Sequence, residues 1–227
     1  MTVFLLSEKI AFPSPRFSNP DGLLAVGGDL SIDRLILAYR MGIFPWYSAG
    51  DPILWWSPDP RLVLPIESFH ASRSLRRVIQ KGTFRITFDT AFKRVINGCA
   101  ARRQKGGGGT WIVPEMIAAY IELHDAGIAH SVEAWMGDEL AGGLYGVSLG
   151  RCFFGESMFT RITNASKVAL AALVSYIKNR GFGFVDCQVT SDHMLRMGAH
   201  EIPRHTFLVM LEKSMAFPSL IGKWGDE

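Results

Sequence analysis

Three neighbouring segments decide the fold of this chain: CFFGESMF at residues 152–159, ASKVALAALVSYIKNR at 165–180 and FGFVDCQV at 182–189. The first and third have strand length and are rich in aromatic and apolar residues, so each predicts a buried strand. The middle segment is apolar almost all round and is followed by Gly181, which predicts a buried helix with a glycine at its end. Predicted strands at 129–135 and 139–148 precede them, and 206–211 is a last strand or helix. This order of elements predicts an α+β fold.

Polar side chains occur in both strands, where a buried strand should have none. By alternation, Asp186 and Gln188 share one face of their strand, and Glu156 lies among apolar neighbours in the other. Burying an unpaired polar group costs roughly 2–7 kcal/mol, and an unpaired charge costs more. Asp186, Gln188 and Glu156 are therefore the candidate catalytic residues. The structural alternatives are that Asp186 caps the turn near Ser191, that Gln188 bonds a neighbouring backbone group, and that Glu156 pairs with a lysine.

The residues before Arg61 differ in composition from the rest of the chain, because they are dense in Pro, Gly and aromatic residues. Within them, Ser31 as an N-cap and Gly42 as a C-terminal glycine predict a helix at residues 32–41. We expect a small N-terminal domain at residues 1–61 and a larger domain at residues 62–227. A chain of 227 residues is long enough for this division.

The positive charge of the chain is concentrated in one window. Residues 73–105 hold ten basic residues and one acidic residue, a net charge of +9 in a chain whose total is +3. Such a concentration indicates a binding surface for a polyanion. The helix after Ser72 should bury Leu75, Val78 and Ile79 and expose its arginines. A solvated helix face without a ligand is the alternative. The candidate nucleic-acid contacts are Arg73, Arg76, Arg77, Lys81, Arg102 and Arg103.

The sequence argues against several other classes of protein. Cys99, Cys152 and Cys187 are an odd and unclustered set, which favours buried thiols in a reduced, cytoplasmic protein. No apolar run approaches the roughly 20 residues that span a membrane, and the N-terminus lacks a signal-peptide pattern. The histidines show no metal-ligand spacing, Ser157 lies outside a nucleophile-elbow motif, and Gly106–Gly109 is not a phosphate-binding loop. We expect no cofactor and no metal.

Two tryptophans lie beside these features. Trp46 is in a proline-bounded turn, and Trp111 follows the basic and glycine-rich segment. Indole rings near a basic surface suit stacking on a nucleic-acid base. Both residues are candidate substrate contacts, with packing in the core as the alternative.

Eight segments of the chain resemble one known family. They are GLLAVGGDL at 22–30, GIFPWY at 42–47, WWSPDPR at 55–61, GTWI at 109–112, GLYG at 143–146, FGESMF at 154–159, NASK at 164–167 and DCQV at 186–189. Through them, residues 11–211 resemble the leucyl/phenylalanyl-tRNA–protein transferases. The resemblance implies a small N-terminal domain and a GNAT-like acyltransferase domain with a central mixed sheet. It also implies transfer of Leu, Phe or Met from aminoacyl-tRNA to acceptor proteins with N-terminal Arg or Lys, which marks them for degradation through the N-end rule.

The resemblance also implies roles for the candidate residues, in a direct attack of the acceptor amine on the ester. Gln188 accepts a hydrogen bond from the amine, Asp186 holds the Gln188 amide, and Glu156 helps to hold the cationic acceptor. Trp46 and Trp111 hold the terminal adenosine of the tRNA. Removing the Asp186 charge is expected to leave folding intact, because an apolar wall gains when a charge is removed. The implied pocket for the aminoacyl side chain consists of Leu144, Phe153, Gly155, Leu170, Leu173 and Ile177.

Two other functions compete with this one. An acetyltransferase that uses acetyl-CoA would share the fold, because fold does not fix function. The segment TRITNASK at 160–167, however, has no glycine to cradle a pyrophosphate before the buried helix. A non-catalytic RNA-binding module explains the basic window but not the polar groups opposite an apolar pocket. An aminoacyl-transfer assay separates the enzyme from the binding module.

Overall fold

The computed structural model describes residues 3–105 and 112–225, with only the backbone for residues 102–105. Its N-terminal part contains β1 (Phe4–Leu6), β2 (Leu23–Gly27), α1 (Ile32–Arg40), β3 (Phe44–Pro45) and β4 (Leu54–Trp56). These strands form a four-stranded sheet in the order β1-β2-β4-β3. The β1–β2 pair is parallel, and the other two pairs are antiparallel.

The rest of the described chain builds a larger sheet and the helices around it. Its elements are β5 (Arg61–Pro65), α2 (Arg73–Gln80), β6 (Arg85–Phe88), α3 (Phe92–Lys105), α4 (Pro114–Asp125), β7 (Ala129–Met136), β8 (Glu139–Leu149), β9 (Cys152–Thr160), α5 (Ala165–Lys178), β10 (Phe184–Gln188), α6 (Asp192–Leu195), β11 (His200–Ile202) and α7 (Arg204–Met215). The seven strands lie in the order β11-β5-β10-β9-β8-β7-β6. The β9–β10 pair is parallel and its neighbours are antiparallel, so the predicted α+β fold with a mixed sheet is confirmed.

Most of the predicted elements are present. Strands β7 to β10 and helices α1 and α5 lie where the sequence predicts them, and the uncertain last element is the helix α7. Strands β5 and β11 were not predicted. Both are short, and β5 pairs with β10, more than a hundred residues further along the chain. No local periodicity marks a strand whose hydrogen bonds depend on such distant partners.

Helices cover both faces of the larger sheet. Helices α5 and α2 pack on one face, and α3, α4 and α7 pack on the other. Neighbouring residues of β8 alternate between these faces. Leu144 belongs to the hydrophobic cluster on the α5 face, and Tyr145 belongs to the cluster on the α3 and α4 face. Within residues 3–105 and 112–225, no helix combines the length and the apolar character needed to cross a membrane.

The N-terminal part shares its core with the larger sheet. Leu35 and Tyr39 of α1 belong to the same buried cluster as Phe154 of β9. The small sheet ends at Trp56 and the larger one begins at Arg61, and the domain boundary at residue 61 stays a prediction. Because the two parts pack together, side chains from α1 and β3 reach the edge of the larger sheet where the candidate site lies.

Candidate active site

A cavity of about 800 Å³ opens where the parallel strands β9 and β10 end and where α5 begins. Parallel neighbours bring their carboxyl ends to the same edge of a sheet, which is the usual place for a binding site. Phe44, Pro45 and Trp46 line the cavity from the N-terminal part. A mostly apolar wall with a few convergent polar groups is typical of a ligand pocket.

Most of the predicted pocket residues line this cavity, together with Met158 and Val185, which the sequence reasoning missed. Ile177 does not line it, because α5 carries this side chain one turn beyond Leu173, into the core. Val185 could have been found from the sequence, since alternation puts it on the face opposite Asp186. The predicted residues that line the cavity are Trp46, Leu144, Phe153, Gly155, Glu156, Leu170, Leu173 and Gln188.

The prediction that Asp186 and Gln188 share a face is wrong. The pairing of β10 with β5 shifts register between these two residues, and Gln188 has a φ of 64°. A positive φ is uncommon for a residue other than glycine and often marks a functional position. The irregular backbone turns Gln188 into the cavity, whereas Asp186 remains behind the cavity wall, fully buried.

Glu156 is the centre of a buried hydrogen-bond network. Its Oε1 accepts hydrogen bonds from Tyr39 Oη and Gln188 Nε2, both at 2.7 Å, and its Oε2 accepts one from Tyr120 Oη at 2.9 Å. The hydroxyls of Tyr39 and Tyr120 also contact each other. These donors come from α1, α4 and β10, so three separate elements fix the position of one carboxylate.

The environment of Glu156 explains its titration. Burial raises the pKa of this carboxyl to about 7, against the three hydrogen bonds, which lower it. Burial also raises the pKa of Tyr39 and Tyr120 well above the usual range, so both hydroxyls keep their protons and serve as donors. An ionised carboxylate only accepts, so Gln188 presents its NH₂ group to Glu156. The carbonyl oxygen of Gln188 has no hydrogen-bond partner among the described residues.

Asp186 forms a buried ion pair with Arg61. Arg61 Nε and Nη2 donate to the two carboxylate oxygens at 2.8 and 2.6 Å. Arg61 Nη1 donates to Gly42 O at 3.2 Å, and the guanidinium lies over the rings of Phe44 and Phe207. The two-pronged geometry is that of the strongest arginine–carboxylate pairs.

These contacts correct three expectations about the polar residues. Asp186 accepts the backbone N–H of Gln188, at 2.9 Å from Oδ1, whereas Glu156 holds the side-chain amide. Glu156 pairs with tyrosines and an amide and not with a lysine. Asp186 also faces a guanidinium and not an apolar wall, so its removal would leave Arg61 buried without its carboxylate.

Of the two candidate tryptophans, Trp46 lines the cavity. It is 39% exposed, with the ring of Trp56 tilted against it at a centroid distance of 5.8 Å. The backbone carbonyl of Trp46 accepts a hydrogen bond from the indole N–H of Trp56 at 2.7 Å, which ties the two residues together. Trp111 and Gly106–Gly109 lie outside the described residues.

The basic helix α2 presents its charges to solvent. Arg73, Arg76, Arg77 and Lys81 are exposed, and none of them has an ion-pair partner within the described part of the chain. Ser72 caps the helix as predicted, by accepting the N–H of Leu75 at 3.2 Å.

The predicted inner face of α2 is only partly right. Leu75 is buried and Val78 is half-buried, but Ile79 is 40% exposed. The buried arc of α2 is therefore narrower than predicted, because the helix packs mainly against α5. Arg102 and Arg103 lie in α3, and their side chains are outside what the structure describes.

The cysteines and histidines differ in how close they lie to the cavity. Cys99 and Cys152 are buried as predicted, while Cys187 is half-buried and lines the cavity. His130 Nδ1 pairs with Asp89 at 2.8 Å, a buried contact that the sequence did not predict because the two residues are 41 positions apart. The described residues contain no grouping of three or more potential metal ligands.

The cavity, with its mostly apolar wall and a few convergent polar groups, is typical of a site that binds a ligand with an apolar part. Glu156 in the middle of β9 and Gln188 at the end of β10 bring a carboxylate and an amide to this cavity. Comparison with known proteins gives the family. The sequence model described as leucyl/phenylalanyl-tRNA protein transferase matches residues 63–212, and the model of the N-terminal domain of that transferase matches residues 28–59. The chain belongs to this family, as the sequence segments predicted.

Named relatives match this chain over more than nine-tenths of their own length. A leucyl/phenylalanyl-tRNA–protein transferase of Desulfatibacillum aliphaticivorans is 59% identical, over 100% of this chain and 97% of the relative. Those of Anaeromyxobacter dehalogenans strain 2CP-C and Thermodesulfovibrio yellowstonii are 54% and 52% identical, each over 99% of this chain and over 96% and 91% of the relatives.

The solved structures to which the chain is similar are more distant. An aminoglycoside acetyltransferase from an uncultured soil metagenomic sample, in complex with sisomicin, has a TM-score of 0.39 at 13% identity, over 51% of this chain and 85% of that one. L-PGS from Bacillus licheniformis has a TM-score of 0.38 at 9% identity, over 74% of this chain and 53% of that one.

Proposed function

We propose that this protein transfers a Leu, Phe or Met residue from aminoacyl-tRNA to the α-amine of acceptor proteins that begin with Arg or Lys. The transfer would mark those proteins for degradation through the N-end rule, and it would take place in the cytoplasm, where charged tRNA is found. The family membership supports the reaction class, and the proposal requires neither a cofactor nor a metal.

The observation that carries the proposal is the polar pair in the apolar cavity. Gln188 is held by its backbone to Asp186 and by its amide NH₂ to Glu156, and its carbonyl oxygen is left to accept another donor. An amine that approaches an ester in this cavity is such a donor. Preorganised acceptors of this kind cost no reorganisation at the moment of reaction.

The proposed chemistry is direct aminolysis. The acceptor nitrogen attacks the ester carbonyl carbon, a C–N bond forms, and the C–O bond to the terminal ribose breaks. The nitrogen loses a proton and the ribose oxygen gains one. Gln188 cannot titrate, so its role is to align the amine through a hydrogen bond to Oε1. Because the ester is already activated, positioning supplies much of the rate enhancement.

Glu156 supplies the negative charge of the site in this proposal. It is the carboxylate among the described cavity-lining residues, and it attracts an acceptor whose α-amine and side chain are both cationic. Asp186 acts one layer further back, as a positioning residue that holds the Gln188 backbone while Arg61 neutralises its charge. The aminolysis thus uses one ionisable carboxylate beside the substrate and one permanently paired carboxylate behind it.

The apolar wall accounts for the proposed side-chain range. Leu144, Phe153, Leu170 and Leu173 surround a space without charged groups of their own. Such a pocket rejects charged side chains, but it separates apolar side chains by only about 1–3 kcal/mol per methylene. Acceptance of Leu, Phe and Met together is therefore expected.

The tRNA body is assigned to the exposed arginines and Lys81 of helix α2, with Arg102 and Arg103 of α3 as further candidates. Phosphate contacts from such a surface set affinity and make binding salt-dependent. Trp46, and by resemblance Trp111, hold the terminal adenosine. For acetyl-CoA the geometry is less favourable, because the Ser166 N–H at the start of α5 is already donated to Thr160 Oγ1, at 3.0 Å.

The test is transfer of labelled leucine from leucyl-tRNA to two peptides that differ only in an N-terminal Arg or Ala. We expect label on the Arg peptide, strong loss in Gln188→Ala, and no acetyl transfer from acetyl-CoA. Failure of the purified protein to transfer from leucyl-, phenylalanyl- and methionyl-tRNA alike would refute the proposal.

A further inference from the structure

Two cationic side chains are among the residues that line the cavity. Lys167 lies in the first turn of α5 and is half-buried, and Arg196 follows α6 and is exposed. Neither forms an ion pair in residues 3–105 and 112–225, even though Asp192 precedes Arg196 by one helical turn. The aminolysis described above uses neither charge.

The proposed reactants differ in whether the positive charges of Lys167 and Arg196 attract them. The aminoacyl side chain is apolar, and the acceptor N-terminus is cationic and is repelled by Lys and Arg. Glu156, the acid among the described lining residues, is already bonded to two tyrosines and Gln188. The remaining reactant is the 3′ end of the tRNA, whose phosphates are the ligands that Lys and Arg bind best.

The position of Arg196 connects the cavity to the basic helix. Met197 O, next in the chain, accepts the backbone N–H of His70 at 2.8 Å, and the neighbouring Gly198 packs directly against Ser68. That segment leads into α2, which packs on α5. The segment that carries Arg196 therefore packs against the segment that leads into the basic helix α2, and Arg196 and Lys167 both line the cavity.

We propose that Lys167 and Arg196 bind the phosphate that joins the terminal adenosine of the tRNA to the preceding nucleotide. The inference rests on the proposed function and adds a site for one anionic group to it. Binding of this phosphate fixes the ribose that carries the ester. The ester carbonyl is then held next to Gln188, because the ribose cannot rotate relative to the bound adenine. Phosphate contacts of this type position a nucleic acid without reading its sequence.

The test compares three donors that differ in their phosphates: leucyl-adenosine with none, the leucyl ester of a cytidylyl-adenosine dinucleotide with one, and leucyl-tRNA. We expect the Lys167→Ala/Arg196→Ala double variant to lose about 10- to 100-fold in kcat/KM on the dinucleotide, because two charge-assisted hydrogen bonds are removed. Transfer from leucyl-adenosine should stay within about 2-fold of the native rate. The conservative variant Lys167→Arg/Arg196→Lys should recover most of the loss on the dinucleotide.

The control is Lys213→Ala, which removes an exposed charge from α7 that does not line the cavity. It should leave all three donors unaffected, and thermal unfolding checks that every variant is folded. An equal loss on leucyl-adenosine and the dinucleotide, or no loss on the dinucleotide, overturns the phosphate site. Failure of the native protein on all three donors would instead overturn the proposed function.

Discussion

Substitution of Asp186 by Ala should strongly destabilise the protein. The change leaves the Arg61 guanidinium, 1% exposed, with Gly42 O as its remaining hydrogen-bond acceptor in the described structure. Breaking a buried ion pair from one side costs about 3–5 kcal/mol, out of a typical total stability of about 5–15 kcal/mol. The Gln188 backbone N–H loses its acceptor as well, at a position whose φ of 64° already stores strain.

A double-mutant cycle measures this effect by urea unfolding. Asp186→Ala and Arg61→Met should each lower the free energy of unfolding by about 3 kcal/mol or more. The double variant Arg61→Met/Asp186→Ala should lose much less stability than the sum of the two single changes, because it leaves no unpaired buried charge. The free energy of unfolding of Asp186→Asn should lie between those of the native protein and Asp186→Ala, because the Asn carbonyl can still accept the Gln188 N–H.

Two outcomes would refute this reasoning. One is an Asp186→Ala variant whose free energy of unfolding lies within about 1 kcal/mol of the native value, because an unpaired buried guanidinium should lower it by more than that. The other is strict additivity of the two single changes, because residues in direct contact should couple. Activity is then compared at a temperature where each variant is folded, and there Asp186→Ala should lower turnover by about 10²-fold through the misplaced Gln188.

Four further predictions concern the cavity, the basic helix and the pH profile. A Cβ on Gly155 meets its nearest neighbours at 3.5 and 3.6 Å, an ordinary contact, so Gly155→Ala should keep its melting temperature while transfer falls because the pocket narrows. Leu173→Trp should depress transfer of Phe more than that of Leu or Met in a competition between charged tRNAs, and equal losses would place the pocket elsewhere. Changing Arg76 and Arg77 to Ala should weaken tRNA binding and reduce the slope of log K against log salt by roughly two, and an unchanged slope with native affinity would place the tRNA on another surface. Because the pKa of Glu156 is about 7 and that of a free α-amine is about 8, log kcat/KM should rise with pH at a slope near two below pH 7. Glu156→Gln should reduce that slope to one, and the same slope in both proteins would show that Glu156 does not titrate in the reaction.

Much of the fold could be predicted because its signals are local. The helix α5 is apolar almost all round and ends before a glycine, and β7 to β10 have the length and composition of buried strands. Strands β5 and β11 carry no such signal. Their existence depends on pairing with each other and with β10, and the sequence does not state which distant segments meet.

The candidate site was predictable in its composition but not in its connections. Glu156 and Gln188 were identified because polar groups are rare in buried strands, and both line the cavity. Their partners Tyr39 and Tyr120 were missed, since tyrosines in amphipathic helices normally indicate core packing. Asp186 and Gln188 were wrongly placed on one face because alternation holds only while the strand is regular, and the register shift before Gln188 ends that regularity.

The division between the two carboxylates follows from what each is paired with. Asp186 meets a guanidinium at 2.6 and 2.8 Å, so its charge is neutralised within the fold and serves to fix the backbone at Gln188. Glu156 meets three neutral donors, which stabilise its charge without cancelling it, and burial brings its pKa to about 7. A carboxylate of this kind can change its charge when a cationic acceptor enters. Asp186 therefore fixes the backbone at Gln188, and Glu156 is the carboxylate beside the substrate whose charge can change when the substrate binds.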